Sequence, residues 1–368
     1  MNKLTTITLF SFFALRSFAC SNHDALKDLE HMRTMLLNNH PGVYNDQDPD
    51  FVTHLNKNFD ESSHKIKESS DSEEHNSILT YFAKSFNDSH LCVSFNQSPT
   101  NTNPAPHKKR KPFYSVGLQN DVQWIALPTF MPNEDEQKTL KDIIANLATL
   151  RSHKLIIFDV HGNSGGNSFW AKSIVENLFG ESYATEMINL AEKDISVEWR
   201  ASKDNIDYLK KLYLSFEKQY GMDSEPTQWL TKIINDLQQA HNQDLPLCTS
   251  NENAKSTISS NNNVNPVLAK IVIVTDKCCG SACLDFIDYV KAMKHDVTLF
   301  GQTTGTDTVY MEVHTTDLPS KKGTFSFPIK VYRNRPRGNN VPYNADISYD
   351  GDMNDTIALQ QAVIKHFC

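Results

Sequence analysis

The feature that most constrains the fold is an abrupt change of pattern within residues 271–293. Residues 271–275 are all β-branched, and such side chains favour a β-strand. From Ala282 onward the apolar residues recur at helical spacing on one face. Ser281 therefore falls on a sharp turn between a strand and a helix, where its hydroxyl is exposed beside backbone N–H groups.

Ser281 has two interpretations at this position. Serine is a favoured N-cap residue, and in that case its role is purely structural. Alternatively, the N–H groups and the dipole of the helix stabilise a developing oxyanion beside a reactive hydroxyl. The strand–turn–helix pattern by itself leaves both interpretations open.

The rest of the chain indicates an α/β fold with a mainly parallel sheet, because predicted strands alternate with predicted helices. A second strand–turn–helix unit covers residues 154–179, with a glycine-rich turn at 162–167. Residues 62–77 are polar and predict a loop or a poorly packed helix. The predicted segments are a signal peptide at 1–19, a helical N-terminal region at 22–90, a strand start and linker at 91–112, and an α/β core at 113–368 with a helical insertion at about 186–245.

The N-terminus has the pattern of a secretory signal peptide. Lys3 precedes a short apolar stretch, and Ser17-Phe18-Ala19 forms a small-x-small cleavage site before Cys20. We expect an exported protein, periplasmic or secreted, with plain cleavage favoured over lipid attachment at Cys20. No other segment approaches the length of a membrane span.

Charge and cysteine content narrow the possible partners. The formal net charge of −8 argues against nucleic acid as the main partner. The basic residues 107–111 are interpreted as a solvated loop. Seven cysteines in an exported chain predict disulfides, with at least one thiol left over. Cys278-Cys279 and Cys283 lack the spacing of a zinc site, so we predict no metal.

The turn at residues 162–167 also has two interpretations. It has neither the G-x-G-x-x-G pattern nor a phosphate-binding loop, so we predict no nucleotide cofactor. Its glycines either permit a tight turn or bring backbone N–H groups close to an oxyanion. The turn alone does not decide between the two.

Four segments together resemble the tail-specific, or C-terminal-processing, serine peptidases, including their tricorn-like branch. The segments follow the order of the family's motifs along the chain. They are His40-Pro41-Gly42-Val43-Tyr44, Asp88-Ser89-His90, the segment from Phe158 to Gly166, and Gly280-Ser281-Ala282 with the later Gly301-Gln302-Thr303-Thr304 and Thr308-Val309.

The resemblance implies a crotonase-like (Clp-protease-like) core of ββα units and a serine peptidase without a cofactor. It implies that Ser281 is the nucleophile, and that Gly165 or Gly166 forms the oxyanion hole together with the N–H of Ala282. Many members use a lysine base after the nucleophile helix, but this chain has Thr306-Asp307 there.

The tricorn-like branch instead takes a histidine from a Ser-His pair, which His90 matches. That branch orients its histidine with a late glutamate, and Asn340 is the candidate in the matching region here. Too few residues separate His90 from Tyr114 for an independent domain, so we expect no peptide-binding PDZ domain.

The predicted function is therefore an exported serine peptidase that cleaves a peptide or protein substrate through an acyl-enzyme. One alternative is an inactive binding protein on the same fold, since retinoid-carrying relatives show that this fold can host binding. A second is a thiol enzyme that uses Cys279 or Cys283. Substrate specificity, disulfide pairing and oligomeric state stay open.

Overall fold

The computed structural model describes residues 8–96, 111–250 and 264–368, without the side chains of 8–21. The side chains of the predicted cleavage region, most of the 91–112 linker and the basic residues 107–110 lie outside what can be described. The helices are α1 Thr8–Asn39, α2 Phe51–Glu68, α3 Ser72–Lys84, α4 Glu134–Asn146, α5 Ser168–Phe179, α6 Glu181–Glu192, α7 Lys203–Tyr220, α8 Glu225–Asn242, α9 Ala282–Ala292 and α10 Thr356–Phe367, with short 3₁₀ turns at Pro41–Tyr44 and Leu147–Leu150.

The strands are β1 Cys92–Phe95, β2 Tyr114–Leu118, β3 Val122–Ala126, β4 Leu155–Asp159, β5 Ser196–Arg200, β6 Leu247–Ser250, β7 Lys270–Thr275, β8 Val297–Gly301, β9 Tyr310–Asp317, β10 Gly323–Arg333 and β11 Ile347–Ser348. The described residues form two compact units. The first unit draws on Met1–Asn103, Ser196–Glu252 and Thr308–Arg333, and the second on Pro104–Ile195, Asn253–Asp307 and Asn334–Cys368.

The second unit contains a six-stranded sheet in the order β11-β8-β7-β4-β3-β2. Only the pairing of β2 with β3 is antiparallel; β3, β4, β7, β8 and β11 run parallel. The two central strands, β4 and β7, are buried along almost their whole length. This explains why both read as continuous apolar runs and not as alternating patterns.

Helices cover both faces of this sheet, because successive side chains of a strand point to opposite faces. On one face Leu155 and Ile157 of β4 join a core that includes Leu359 and Val363 of α10. Towards the other face, Phe158 of β4 packs edge-on against a ring of α9, with the ring centroids 5.3 Å apart. The prediction of an α/β fold with a mainly parallel sheet is confirmed for this unit.

The first unit contains an antiparallel sheet, which the sequence interpretation missed. Its strands follow the order β1-β10-β5-β6, and β9 also pairs with β10. Side chains from β5, β10 and helices α1, α2, α3, α7 and α8 share one apolar core. This sheet was missed because β9 and β10 lie late in the chain and pair with strands that are distant in sequence.

One further expectation is corrected. Residues 62–77 are mostly helical: α2 continues to Glu68 and α3 begins at Ser72, with Asp71 as its N-cap. Ser62 and Ser63 are buried, so this polar stretch is also well packed. The segment at 186–245 is mostly helical and also contains β5, which pairs with β10. Within the described residues, every helix is too short or too polar to cross a membrane.

Candidate active site

Ser281 lies where the sequence predicts it, between the end of β7 and the first residue of α9. Its backbone has φ +52° and ψ −128°, a region that a residue with a side chain rarely adopts. Holding a residue there costs on the order of 1–3 kcal/mol, and such strain is concentrated at functional sites. Ser281 occupies the N-cap position, yet its side chain makes no capping hydrogen bond. The N-cap interpretation therefore does not explain the hydroxyl.

The glycine-rich turn after β4 packs directly against Ser281. A Cβ atom added at Gly165 would lie 2.7 Å from Cβ of Ser281 and 2.9 Å from N of Ala282. Gly165 also has φ +97°, which glycine adopts without strain. Gly165 thus has the positive φ of a tight turn and also approaches Ser281 closely, so both interpretations of the turn apply to it.

Two neighbouring groups hold this turn in place. The side chain of Asn163 accepts a hydrogen bond from the N–H of Gly165 at 2.8 Å and donates one to the carbonyl of Leu127 at 2.8 Å. Phe130 pairs with Gly166 in an isolated parallel bridge, in which Phe130 donates to the carbonyl of Gly165. The N–H and the carbonyl of Gly165 are thus both already hydrogen-bonded, to Asn163 and Phe130 respectively.

Ala282 and Gly166 differ from Gly165 in how their backbone N–H groups are hydrogen-bonded. Ala282 is the first residue of α9, so its N–H has no partner within the helix. The described residues supply no hydrogen-bond acceptor for the N–H of Gly166. Of the two glycines that the resemblance nominates, Gly166 is therefore the one with an N–H available to a ligand.

An aspartate stands next to the Ser281 turn, at the position where the resemblance leads us to expect lysine in many relatives. Oδ1 of Asp307 accepts a hydrogen bond from the backbone N–H of Ser281 at 2.9 Å. The Asp307 side chain is only 1% exposed, and its Oδ2 lies 3.5 Å from Nη2 of Arg337. The sequence interpretation noted Asp307 only as a replacement for lysine and did not predict this contact.

Arg337 connects Asp307 to α9. Its guanidinium is 2% exposed and also pairs with Asp285 at 3.1 Å and Asp288 at 2.9 Å, both on α9. Burial raises the pKa of Asp288 to about 6, which Arg337 partly opposes. Burial lowers the pKa of Arg337, but its three carboxylate partners outweigh burial and raise it. One arginine thus pairs with three carboxylates beside Ser281, of which Asp307 is buried.

A disulfide joins Cys279 to Cys283, on either side of Ser281. The prediction that this chain contains a disulfide is confirmed, and the pairing that the sequence left open is now assigned. The thiol-enzyme alternative loses its support, because the two candidate sulfurs are bonded to each other. Cys92, Cys248, Cys278 and Cys368 are unpaired thiols in the structure.

His90 belongs to the first unit, where Asp88 fixes its orientation. Oδ1 of Asp88 accepts the backbone N–H of His90 at 2.8 Å and lies 3.2 Å from the ring Nδ1. Oδ2 of Asp88 accepts a hydrogen bond from the hydroxyl of Thr308 at 2.8 Å. A carboxylate at Nδ1 selects the tautomer in which Nε2 is the basic nitrogen.

The motif at residues 40–44 has a structural role. His40 is fully buried, stacks on Phe51 with centroids 4.5 Å apart, and accepts the N–H of Gly42 through Nδ1. Burial lowers the pKa of His40 to about 3. A histidine that stays neutral and fully packed cannot exchange protons with a substrate near neutral pH.

Asn340 lies in the second unit, beside the loop that carries Asp307. Its backbone N–H donates to the carbonyl of Asp307 at 2.7 Å, and its side-chain oxygen accepts from Thr306 at 3.3 Å. Its backbone has φ +55°, which asparagine tolerates better than most residues. These contacts shape the loop around Asp307. Its predicted role in orienting His90 stays a prediction.

His161, which replaces the arginine of the family motif, is part of a buried polar chain. Its Nδ1 contacts Asp159 and its Nε2 contacts the amine of Lys111. Lys111 is the last residue of the basic stretch at 107–111, and this contact shows that it is not simply solvated. The contacts with Asp159 and Lys111 hold His161, and thereby the start of the glycine-rich turn, in place.

The chain was compared with curated proteins by sequence and with solved structures by fold. In sequence, no curated protein matches the chain significantly. Among solved structures, mature CPAF complexed with lactacystin aligns at 12% identity over 95% of this chain and 98% of that chain, with a TM-score of 0.59. Mature CPAF alone aligns at 11% identity over 89% of this chain and 93% of that chain, with a TM-score of 0.56. At such identities the likeness shows a shared fold.

The family assignment comes from the sequence itself. The model of peptidase family S41 matches residues 121–350, which is more than half of the chain. That range contains the glycine-rich turn, Ser281 and the Asp307 loop. The chain therefore belongs to peptidase family S41, which confirms its resemblance to the tail-specific serine peptidases and its peptidase fold.

Proposed function

We propose that this chain is an exported serine peptidase with Ser281 as nucleophile and His90 as general base. The observation that carries the proposal is the strained backbone of Ser281, whose hydroxyl caps nothing although it stands at the start of α9. Strain at a residue that performs no structural task is typical of a reactive serine on a strand–turn–helix elbow.

In the proposed reaction, Oγ of Ser281 attacks the carbonyl carbon of the substrate while His90 accepts the hydroxyl proton. The N–H groups of Gly166 and Ala282 stabilise the oxyanion of the tetrahedral intermediate. His90 then gives its proton to the leaving amine, and an acyl-enzyme remains on Ser281. A water molecule, deprotonated by His90, releases the acid product and regenerates the serine.

The local geometry of each participant supports its role. Gly165 packs against Ser281 and uses its own N–H within the turn, so we assign the glycine donor to Gly166. Asp88 at Nδ1 of His90 is suited to stabilise the imidazolium that forms when His90 accepts a proton. We assign the orienting role to Asp88 and keep Asn340 as the alternative.

The proposed location outside the cytoplasm rests on two observations. Residues 1–19 have the charged start, the apolar stretch and the small-x-small end of a signal peptide. The Cys279–Cys283 disulfide is of a kind that persists mainly in oxidising compartments. N-terminal sequencing of the protein after export tests cleavage before Cys20, and an unprocessed N-terminus would contradict it.

A fluorophosphonate probe with mass-spectrometric mapping tests the nucleophile. We expect one adduct, on Ser281, and loss of both labelling and casein hydrolysis in Ser281→Ala. Ser224→Ala is the matched control, because Ser224 is also a helix N-cap whose side chain makes no capping hydrogen bond. Full casein hydrolysis by Ser281→Ala would refute the mechanism, and absence of labelling in a folded wild-type protein would favour the binding-protein alternative.

His90→Gln tests the base. General base catalysis is worth roughly 10²–10⁴-fold, so kcat should fall by that factor while the fold is retained. His153→Gln is the control, because His153 likewise lies near an aspartate, with Nε2 3.7 Å from Asp121. If His90→Gln and His153→Gln have the same kcat, another group is the base.

A further inference from the structure

The disulfide between Cys279 and Cys283 encloses the proposed nucleophile. The two cysteines are four positions apart, so the closed loop contains only five residues, with Ser281 at its centre. Both cysteines are fully buried, at 0% exposure. The cross-link therefore lies inside the protein, on both sides of the residue that carries the backbone strain.

Hydrogen bonds and the packing of Gly165 also hold this turn, but none of them closes it covalently. Residues 278–281 belong to no helix or strand, and Gly280 immediately before Ser281 is the most flexible residue type. Ser281 donates its N–H to Asp307, and the first turn of α9 begins with Cys283 donating to the carbonyl of Gly280 at 3.0 Å. The disulfide fixes this helix start covalently to Cys279, two residues before the serine.

The positions of Cys279 and Cys283 determine where the Ser281 hydroxyl and the Ala282 N–H lie. Ala282 lies between Ser281 and Cys283, so the disulfide restrains the proposed nucleophile and the Ala282 N–H together. A loop free to relax from φ +52° would move both groups away from their joint geometry. A misplacement of about 1 Å at a reacting group is enough to cost about 100-fold in rate.

We propose that the Cys279–Cys283 disulfide is a positioning element, which holds Ser281 in its reactive conformation and makes the reaction depend on the oxidised bond. The proposal rests on the proposed function, because it requires Ser281 to be the nucleophile. The cysteines themselves take no part in the chemistry. Reduction by a phosphine converts both sulfurs to thiols and the phosphine, with the oxygen of one water, to its oxide.

The test compares Cys279→Ala/Cys283→Ala with wild type by inactivation kinetics with a fluorophosphonate probe. We expect the maximal inactivation rate constant to fall about 10- to 100-fold, with the half-saturating probe concentration unchanged within about 3-fold. Cys278→Ala is the matched control, because Cys278 is the adjacent, exposed and unpaired thiol. It should keep the wild-type rate.

The kinetics separate positioning from simple stability. Loss of stability lowers the fraction of protein that becomes labelled, whereas loss of positioning lowers the rate at which the folded fraction reacts. Equal rates in the double variant and wild type would overturn the proposal and leave Ser281 as the nucleophile. If oxidised wild type acquires no adduct at Ser281, the proposed function fails, and this proposal fails with it.

If the double variant does not fold, a second measurement on wild-type protein tests the proposal. Wild-type protein is titrated with tris(2-carboxyethyl)phosphine, and alkylation with mass spectrometry gives the fraction of molecules with the bond intact. The inactivation rate should fall in proportion to that fraction. A rate that does not change as the bond is reduced, or full reactivity in protein whose Cys279 and Cys283 alkylate before any reduction, would overturn the proposal.

Discussion

Gly165→Ala should disable the site through one methyl group. The added Cβ would lie 2.7 Å from the carbonyl oxygen of Gly280, 2.7 Å from Cβ of Ser281 and 2.9 Å from N of Ala282. All three distances are below those that real Cβ atoms show, and two of the atoms are backbone. The clash cannot be relieved by rotating a flexible side chain, so Gly165 or the Ser281 turn must move.

The expected effect of Gly165→Ala has two parts, a loss of stability and a loss of reaction rate. An alanine at φ +97° costs on the order of 1–3 kcal/mol of stability. Relief of the contacts requires a shift of about half an ångström to one ångström at Ser281, and a misplacement of that size costs up to about 100-fold in rate. We therefore expect a moderate loss of stability and a much larger loss of reactivity.

Gly162→Ala separates the two parts. Gly162 lies in the same turn with φ +80°, but an added Cβ there has no atom within 4 Å. It should lose stability to a similar extent in urea unfolding, yet react with the fluorophosphonate probe within about 3-fold of wild type. If Gly165→Ala also reacts within about 3-fold of wild type while folded, Gly165 does not shape the nucleophile site and the packing argument is wrong.

Three further substitutions test individual carboxylates. Asp88→Asn should lower kcat by about 10- to 1,000-fold with little change in KM, because the imidazolium of His90 loses its counter-charge; an unchanged kcat would return the orienting role to Asn340. Asp307→Ala removes the acceptor of the Ser281 N–H, so the probe should react at least about 10-fold more slowly, and wild-type reactivity would contradict this. Burial raises the folded-state pKa of Asp288 from 3.8 to about 6, so its contribution to stability is fully present below about pH 3.8 and is lost as the pH rises through about 6. Asp288→Asn should therefore gain up to about 3 kcal/mol relative to wild type between pH 4 and pH 7 in urea unfolding, whereas a constant difference would refute the shift.

Periodicity predicted the second unit well. The strand–turn–helix unit predicted at 154–179 is present as β4 and α5, and α5 ends at Phe179. The central strands β4 and β7 were predicted to within a residue or two, because unbroken apolar runs between turn residues leave few alternatives. Local pattern is enough where neighbouring segments pack on one another.

Contacts between distant residues could not be predicted in the same way. Strand β5 was hidden in a stretch read as helical, since only its pairing with β10 defines it. Arg337 reads as an ordinary residue of a loop rich in arginine and asparagine. Its three carboxylate partners lie 30 to 52 positions earlier in the chain, and no spacing rule connects them.

The carboxylate that replaces the expected lysine bears on which residue can be the base. Asp307 already accepts the backbone N–H of Ser281 with one oxygen, and its other oxygen faces the guanidinium of Arg337. A carboxylate that accepts the backbone N–H of the serine with one oxygen and faces a guanidinium with the other is placed to fix the turn and poorly placed to take the hydroxyl proton. In the proposed mechanism, Asp307 thus has a positioning role, and the proton acceptor comes from another part of the chain. Asp88-Ser89-His90 supplies a histidine that already has a carboxylate at Nδ1, which is the arrangement that a base for a serine nucleophile requires.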